Sequence, residues 1–206
     1  MQEVRKITSV IKKILIVLLC ILLISAVSGT VYISAVNPHR DNIQSSPVSA
    51  EFHCDKNSSY ITYQTDGKCA AYASAYVLRC LGEHADGESL YPDIRRTFGF
   101  VSPGSIVKLF ESRGYSAKAC CGDTDTLKQR ISEGVPVIVF ISIPQDTHYA
   151  AVTGYDSQYL YLADSLIKNA NTDGKGYNRK LTYEEFEKVW KTDTVLSDNI
   201  YIVVKQ

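Results

Sequence analysis

The hydrophobic pattern changes character along the chain. Residues 14–36 carry no charged side chain and open with Ile-Leu-Ile-Val-Leu-Leu-Cys-Ile-Leu-Leu-Ile, enough for a helix that crosses a hydrocarbon layer, which takes about 20 apolar residues. Residues 37–59 show neither helical nor alternating periodicity and hold Pro38, Pro47 and Ser45-Ser46, which reads as a polar stalk. From residue 60 the patterns of a folded domain begin. A short extended lead-in at residues 60–64 and an Asp66-Gly67 turn precede residues 69–81, which are almost uncharged and rich in Ala, Tyr and Leu; a helix apolar on every side must be buried. Gly82 stops it. Residues 92–98 and 105–112 read as further helices, the second opened by Ser102-Pro103-Gly104 and closed by Gly114. An amphipathic helix over residues 127–133 has Thr124 or Asp125 as its cap. After Val135-Pro136 the pattern becomes sheet, with strands at residues 137–143, 148–155 and 159–163 forming an antiparallel meander. A helix over residues 181–191, capped at Thr182, and a last strand at residues 200–204 complete an α+β order.

Composition narrows the class. The chain has 206 residues, 45% hydrophobic and 21% charged, so it holds one domain of ordinary size beside the apolar run and falls outside the disordered and low-complexity classes. Lys plus Arg and Asp plus Glu balance at 22 each, but Arg5, Lys6, Lys12, Lys13 and Arg40 face only Glu3 within residues 1–40, leaving the rest acidic. That is not the footprint of a nucleic-acid binder, and no G-x-x-x-x-G-K nucleotide loop is present. Arg5, Lys6, Lys12 and Lys13 lie before the apolar run and only Arg40 follows it closely, which predicts a cytoplasmic N-terminus at residues 1–13, a signal anchor at 14–36, a stalk at 37–59 and an exported domain at 60–206. A cleavable signal peptide is the competing reading; its small-residue sites at Ala26-Val27-Ser28 and near Ala35 are weak, so the uncleaved anchor is preferred. Cys20, within the run, reads as lipid-facing.

Cys69 follows a turn and opens a buried helix, where unpaired N–H groups and the helix dipole favour a thiolate. Taken alone it would be a small packing residue; a nucleophile needs a base and a group that orients the base. Of the histidines, His39 and His53 fall in the stalk and His84 in a polar loop, whereas His148 opens a strand. Asp164 ends the next strand, so a hairpin can bring it to the ring. Gln64, shortly before Cys69, can join the Cys69 N–H in stabilising an oxyanion.

With these residues the chain resembles the papain-like cysteine peptidases, and most closely the double-glycine leader peptidases that process bacteriocins, together with their stand-alone relatives. The matching stretches are Gln64-Thr65-Asp66-Gly67-Lys68-Cys69-Ala70, Gly134-Val135-Pro136-Val137, His148-Tyr149-Ala150-Ala151-Val152, Tyr161-Leu162-Ala163-Asp164 and Leu181-Thr182-Tyr183-Glu184-Glu185-Phe186. The resemblance implies a papain-like fold with Cys69 as nucleophile, His148 as general base and acid, Asp164 as its orienter and Gln64 as oxyanion donor. It also implies a peptide or protein substrate and no cofactor. Two departures stand out: Lys68-Cys69-Ala70 where the family commonly has Asp-Cys-Gly, and a shorter gap between Gln64 and Cys69. Because the domain is expected outside the cell, leader cleavage does not transfer from the transporter-linked members.

The expected function is thus an extracellular, membrane-tethered thiol hydrolase acting on a peptide or amide bond. A papain-like binding module without turnover, and a cell-wall amidase or acyl transferase using the same residues, are the alternatives. Cys54, Cys80, Cys120 and Cys121 accompany Cys69 in the exported part; this odd count fits a nucleophile plus two disulfides, or buried free thiols. A zinc site built from Cys80, His84 and other cysteines is a weaker option, because no C-x-x-C pair exists. Tyr72, Tyr76 and Tyr149 serve either the core or the cleft.

Overall fold

The computed structural model describes residues 2–44, 46–54, 60–65, 67–94, 96, 99–192, 194 and 196–206. It divides into two compact units, Met1–Asn37 and Pro38–Gln206. The first is one helix, α1 (Gln2–Val36), which contains the whole charge-free run. Its stretch Ile11–Gly29 has a mean hydropathy of 2.5 and exposes its apolar side chains. At 1.5 Å per residue it is ~28 Å long, about the thickness of a bilayer core.

The second unit is α+β. Its strands are β1 (His39–Arg40), β2 (Phe52–His53), β3 (Ser116–Cys121), β4 (Val137–Ile143), β5 (Asp146–Tyr155), β6 (Tyr159–Ala163), β7 (Arg179–Thr182) and β8 (Ile200–Lys205). They form one sheet in the order β1-β3-β8-β4-β5-β6-β7, with β2 added alongside β5. All pairings are antiparallel except β1 with β3. The meander β4-β5-β6 stands as the pattern predicted. Its first turn is Pro144-Gln145, with Gln145 at φ 69°. The helices are α2 (Cys69–Cys80), α3 (Gly87–Leu90), α4 (Pro103–Ser112), α5 (Thr124–Ile131) and α6 (Tyr183–Trp190).

Helices α5 and α6 cover one face, where Leu127, Ile131, Phe186 and Trp190 pack on Val137, Val139 and Ile141 of β4 and on Ala150 and Val152 of β5. Helix α2 lies against β5 and β4, and α4 against β3 and β8. Each amphipathic helix is closed at its start by a side chain: Ser102 caps α4, Asp123 caps α5 in a capping box with Thr126, and Thr182 caps α6 in one with Glu185. The α5 cap is therefore one residue before Thr124 and two before Asp125, the caps expected.

Residues 38–44 and 52–54, which the sequence pattern assigned to a stalk, are built onto the sheet. His39 and Arg40 pair with Cys120 and Cys121. Asp41, buried, accepts hydrogen bonds from Arg130 Nε and Nη2 at 2.8 Å each and from the Tyr201 hydroxyl at 2.7 Å. Phe52 and His53 pair with Tyr155 and Gly154. Gly154 is needed there, since a Cβ would meet the Phe52 carbonyl oxygen at 2.5 Å. Strands of two residues are too short to show alternation, which is why the stretch reads as unstructured. Of the helix expected at residues 92–98, Pro92 and Asp93 belong to a 3-10 turn over Tyr91–Asp93 that follows α3, and Arg95, Thr97 and Phe98 lie outside the described residues.

Candidate active site

Helix α2 is Ala-rich and buried from Ala70 to Cys80, so its axis is fixed by packing and its first residue is held in place. Arg79, near its far end, donates inside the fold to the carbonyls of Ala85 and Tyr60 and lies over the Tyr60 ring. Cys69 opens the helix and is half-buried. The residue before it, Lys68, provides no side-chain cap, leaving the first-turn N–H groups without a partner from that side chain. Lys68 instead reaches out to Glu88 at 2.6 Å, and Tyr72 donates to the same carboxylate at 2.8 Å, tying the turn before Cys69 to α3.

The hairpin β5-β6 supplies the next two residues. Ala151 pairs with Ala163, so Asp164 comes one step further on, opposite Ala150, and on the same face as His148. This diagonal juxtaposition puts His148 Nε2 2.7 Å from Asp164 Oδ1. Both side chains are buried, at 1% and 0% exposure; His39, His53 and His84 are exposed. Since Nε2 is engaged by Asp164, Nδ1 is the ring nitrogen left for the Cys69 thiol, the imidazole's second hydrogen-bond partner. Burial alone would lower the His148 pKa, but the Asp164 carboxylate and Cys69 outweigh it and raise it to about 9. Burial likewise pushes Asp164 up; the bond and charge of His148, with the Leu166 and Asn169 donors, pull it below the usual carboxylate range.

Gln64 is fixed at both ends of its amide. Oε1 accepts from Lys68 N at 2.7 Å, which settles which amide atom is which, and Nε2 donates to Ser165 Oγ at 2.9 Å. The Gln64 backbone N–H also bonds the Ser165 carbonyl at 3.0 Å. One hydrogen of Nε2 remains. Gln64, Gly67, Cys69 and His148 share one cleft of about 540 Å³, walled by the β4-β5 turn on one side and by Leu166, Ile167 and Lys168 on the other. That volume suits a few residues of an extended peptide. Tyr72, Tyr76 and Tyr149 are buried.

The expected residues Cys69, His148, Asp164 and Gln64 thus come together. Others join them that the sequence did not mark. Asp164 Oδ2 accepts from Asn169 Nδ2 at 3.0 Å and from Arg179 Nη1 at 2.9 Å, and Oδ1 also accepts from Leu166 N at 2.9 Å. Asn178 clamps the Asp164 backbone with bonds of 2.9 and 2.8 Å. The signal for Arg179 was the register of β7, a strand that its residues Arg-Lys-Leu-Thr do not announce. No disulfide joins the cysteines among the described residues, so of the two readings the one with buried thiols holds; Cys54, Cys80 and Cys120 are buried and Cys121 is half-buried. No group of three or more potential metal ligands gathers among the described residues.

Among solved structures the chain is similar to the peptidase domain of Streptococcus ComA, a bifunctional ABC transporter (17% identity, TM-score 0.58, covering 71% of this chain and 98% of that one). It is also similar to a double-glycine motif protease from an AMS/PCAT transporter in complex with its leader peptide (20%, 0.55, 71% and 90%), and to a candidate C39-like peptidase from Bacillus anthracis (19%, 0.53, 71% and 94%). At such identities the likeness carries the fold. No curated protein matches the chain. The model of the Peptidase_C39-like family matches residues 56–197, which takes in every residue of the cleft, and the chain belongs to that family.

Proposed function

We propose that this protein is a membrane-tethered cysteine peptidase whose domain faces the outside of the cell, with Cys69 as nucleophile, His148 as general base and acid, Asp164 as the residue that orients and charges His148, and Gln64 as oxyanion donor. The observation that supports this best is the chain of contacts in which buried His148 bridges Cys69 and Asp164. An imidazolium beside a sulfur stabilises the thiolate. The thiolate attacks the substrate carbonyl carbon, and the oxyanion that forms meets the Cys69 N–H and the free hydrogen of Gln64 Nε2. The Nδ1–H of His148 protonates the leaving amine as the C–N bond breaks, giving a thioester on Cys69. His148, now neutral, takes a proton from water; the hydroxide displaces Cys69 and the acid product leaves. Asp164 keeps Nε2–H pointed at itself and Nδ1 pointed at the sulfur throughout.

The substrate class proposed is a peptide in extended conformation. The double-glycine motif protease from the AMS/PCAT transporter was solved with the leader peptide, and the open cleft has room for a backbone. The placement outside follows from Lys and Arg preceding the apolar helix. A second reading, a binding module without turnover, draws on the engagement of Gln64 Nε2 by Ser165. The test uses the full chain in detergent with an electrophilic peptide probe and a peptide library. Labelling and cleavage that vanish in Cys69→Ala and His148→Ala support the peptidase. Saturable peptide binding without labelling in the wild type would move the protein to the second reading.

A further inference from the structure

The Asp164 carboxylate is shared unequally. His148 and the Leu166 N–H hold Oδ1, while Arg179 and Asn169 hold Oδ2. Arg179 reaches it by register: on β7 it pairs with Leu162, two residues before Asp164 and on the same face of the sheet. The guanidinium is itself only 12% exposed, and the carboxylate is fully enclosed. A buried carboxylate is stable only with a cation or several donors about it. In the proposed cycle His148 changes from imidazolium to imidazole and back, so for part of each turnover it offers Asp164 no charge. Arg179 is the cation that stays.

We propose that Arg179 is a positioning residue of this site, which keeps Asp164 ionised and aimed at Nε2 while His148 is neutral and, by competing for the same carboxylate, eases release of the His148 proton. This rests on the peptidase reading, in which that proton moves. The other charged or titratable groups near the pair have different duties. Cys69 faces the ring from α2. Tyr149, the neighbour of His148 on β5, is buried with its hydroxyl on the Val101 carbonyl and stays neutral. Asp146 and Lys168 line the cleft as exposed residues on its two walls.

The experiment is an NMR titration of the His148 ring in the full chain in detergent micelles. A Cys69→Ala background is used so that the sulfur proton does not enter. Arg179→Gln should move the His148 midpoint upward by about one pH unit, because Asp164 then serves the imidazolium alone. Arg179→Lys, which keeps the charge and is the gentler change for folding, should stay within a few tenths of the parent. An unchanged or lowered midpoint in a folded Arg179→Gln chain, or an equal rise in Arg179→Lys, overturns the proposal. Turnover plays no part in this titration, so a failure of the peptidase reading shows separately, as inertness of Cys69 towards the electrophilic probe in the wild type.

Discussion

Replacing Asp164 by Asn keeps the size of the side chain and removes its charge. In the native site all four hydrogen bonds to the carboxylate are received, from His148, Leu166, Asn169 and Arg179. An amide has one oxygen and one NH2, so whichever way it turns, two of those donors confront another donor. His148 loses the main partner that overcomes its burial, and its pKa falls from about 9 toward its ordinary 6.5. The whole elevation corresponds to on the order of 3 kcal/mol between the protonation states. Cys69 supplies a smaller share than Asp164, so ~2 kcal/mol belongs to the carboxylate, and proton transfer from thiol to imidazole becomes ~30-fold less favourable. The rate of Cys69 alkylation by iodoacetamide at pH 7 should fall ~10- to 30-fold. Because Cys20 and Cys121 are also accessible in part, the rate is read by mass spectrometry on the peptide carrying Cys69, from pH 5 to 9. An Asp164→Asn protein that folds and alkylates at Cys69 with the wild-type rate and pH profile would refute the reasoning.

Stability should follow pH through the same pair. His148 has a raised folded value, so its contribution is complete below 6.5 and is lost as pH climbs through about 9; Asp164 has a lowered one, so its contribution is complete above 3.8 and is lost as pH falls through about 2. The melting temperature of the domain is therefore expected to drop between pH 7 and 10, and His148→Gln should flatten that drop. Asp41→Ala should cost ~2–4 kcal/mol in urea denaturation, since half-buried Arg130 loses its carboxylate partner at 2.8 Å while keeping Glu133, and the buried Tyr201 hydroxyl loses its bond to Asp41; Cys69 alkylation should be unaffected, because Asp41 is not among the residues lining the cleft. Gly87→Ala places a methyl 2.3 Å from the Tyr72 ring. The ring must move and release Glu88, at a cost of ~1–3 kcal/mol, and the loosened Lys68 turn should change the Cys69 alkylation rate measurably.

The sheet meander and the buried helix could be read directly, because Val137–Ile143 is rich in β-branched residues and Cys69–Cys80 is Ala-rich, with Arg79 as its one charged side chain. With those in place, the hairpin argument brings His148 and Asp164 together with no further information. What escaped lies in strands whose residues look like surface. Ser-Ala-Lys-Ala-Cys-Cys of β3 and Arg-Lys-Leu-Thr of β7 gain their extended form from neighbours and not from propensity. Missing β7 meant missing Arg179, a charge that by default would face water. Gln64 was legible as a nearby amide. The direction of that amide depends on Ser165, 101 positions away in sequence, and no local pattern encodes it.

An open sheet has margins, and an uncovered margin is a template on which another molecule can add a strand. On one side of this sheet the outermost long strand, β3, is covered by β1 alone, two residues held down by the Asp41 latch. Cys121 ends β3 and its sulfur rests against the Pro38 carbonyl. The family model starts at residue 56, so this cover lies outside the part of the chain that the family shares. A chain shortened to begin at Tyr60 would bare both the backbone of β3 and the Cys121 thiol, inviting two copies to pair there. The strap at residues 38–44 occupies the backbone positions along β3 that an added strand would otherwise take.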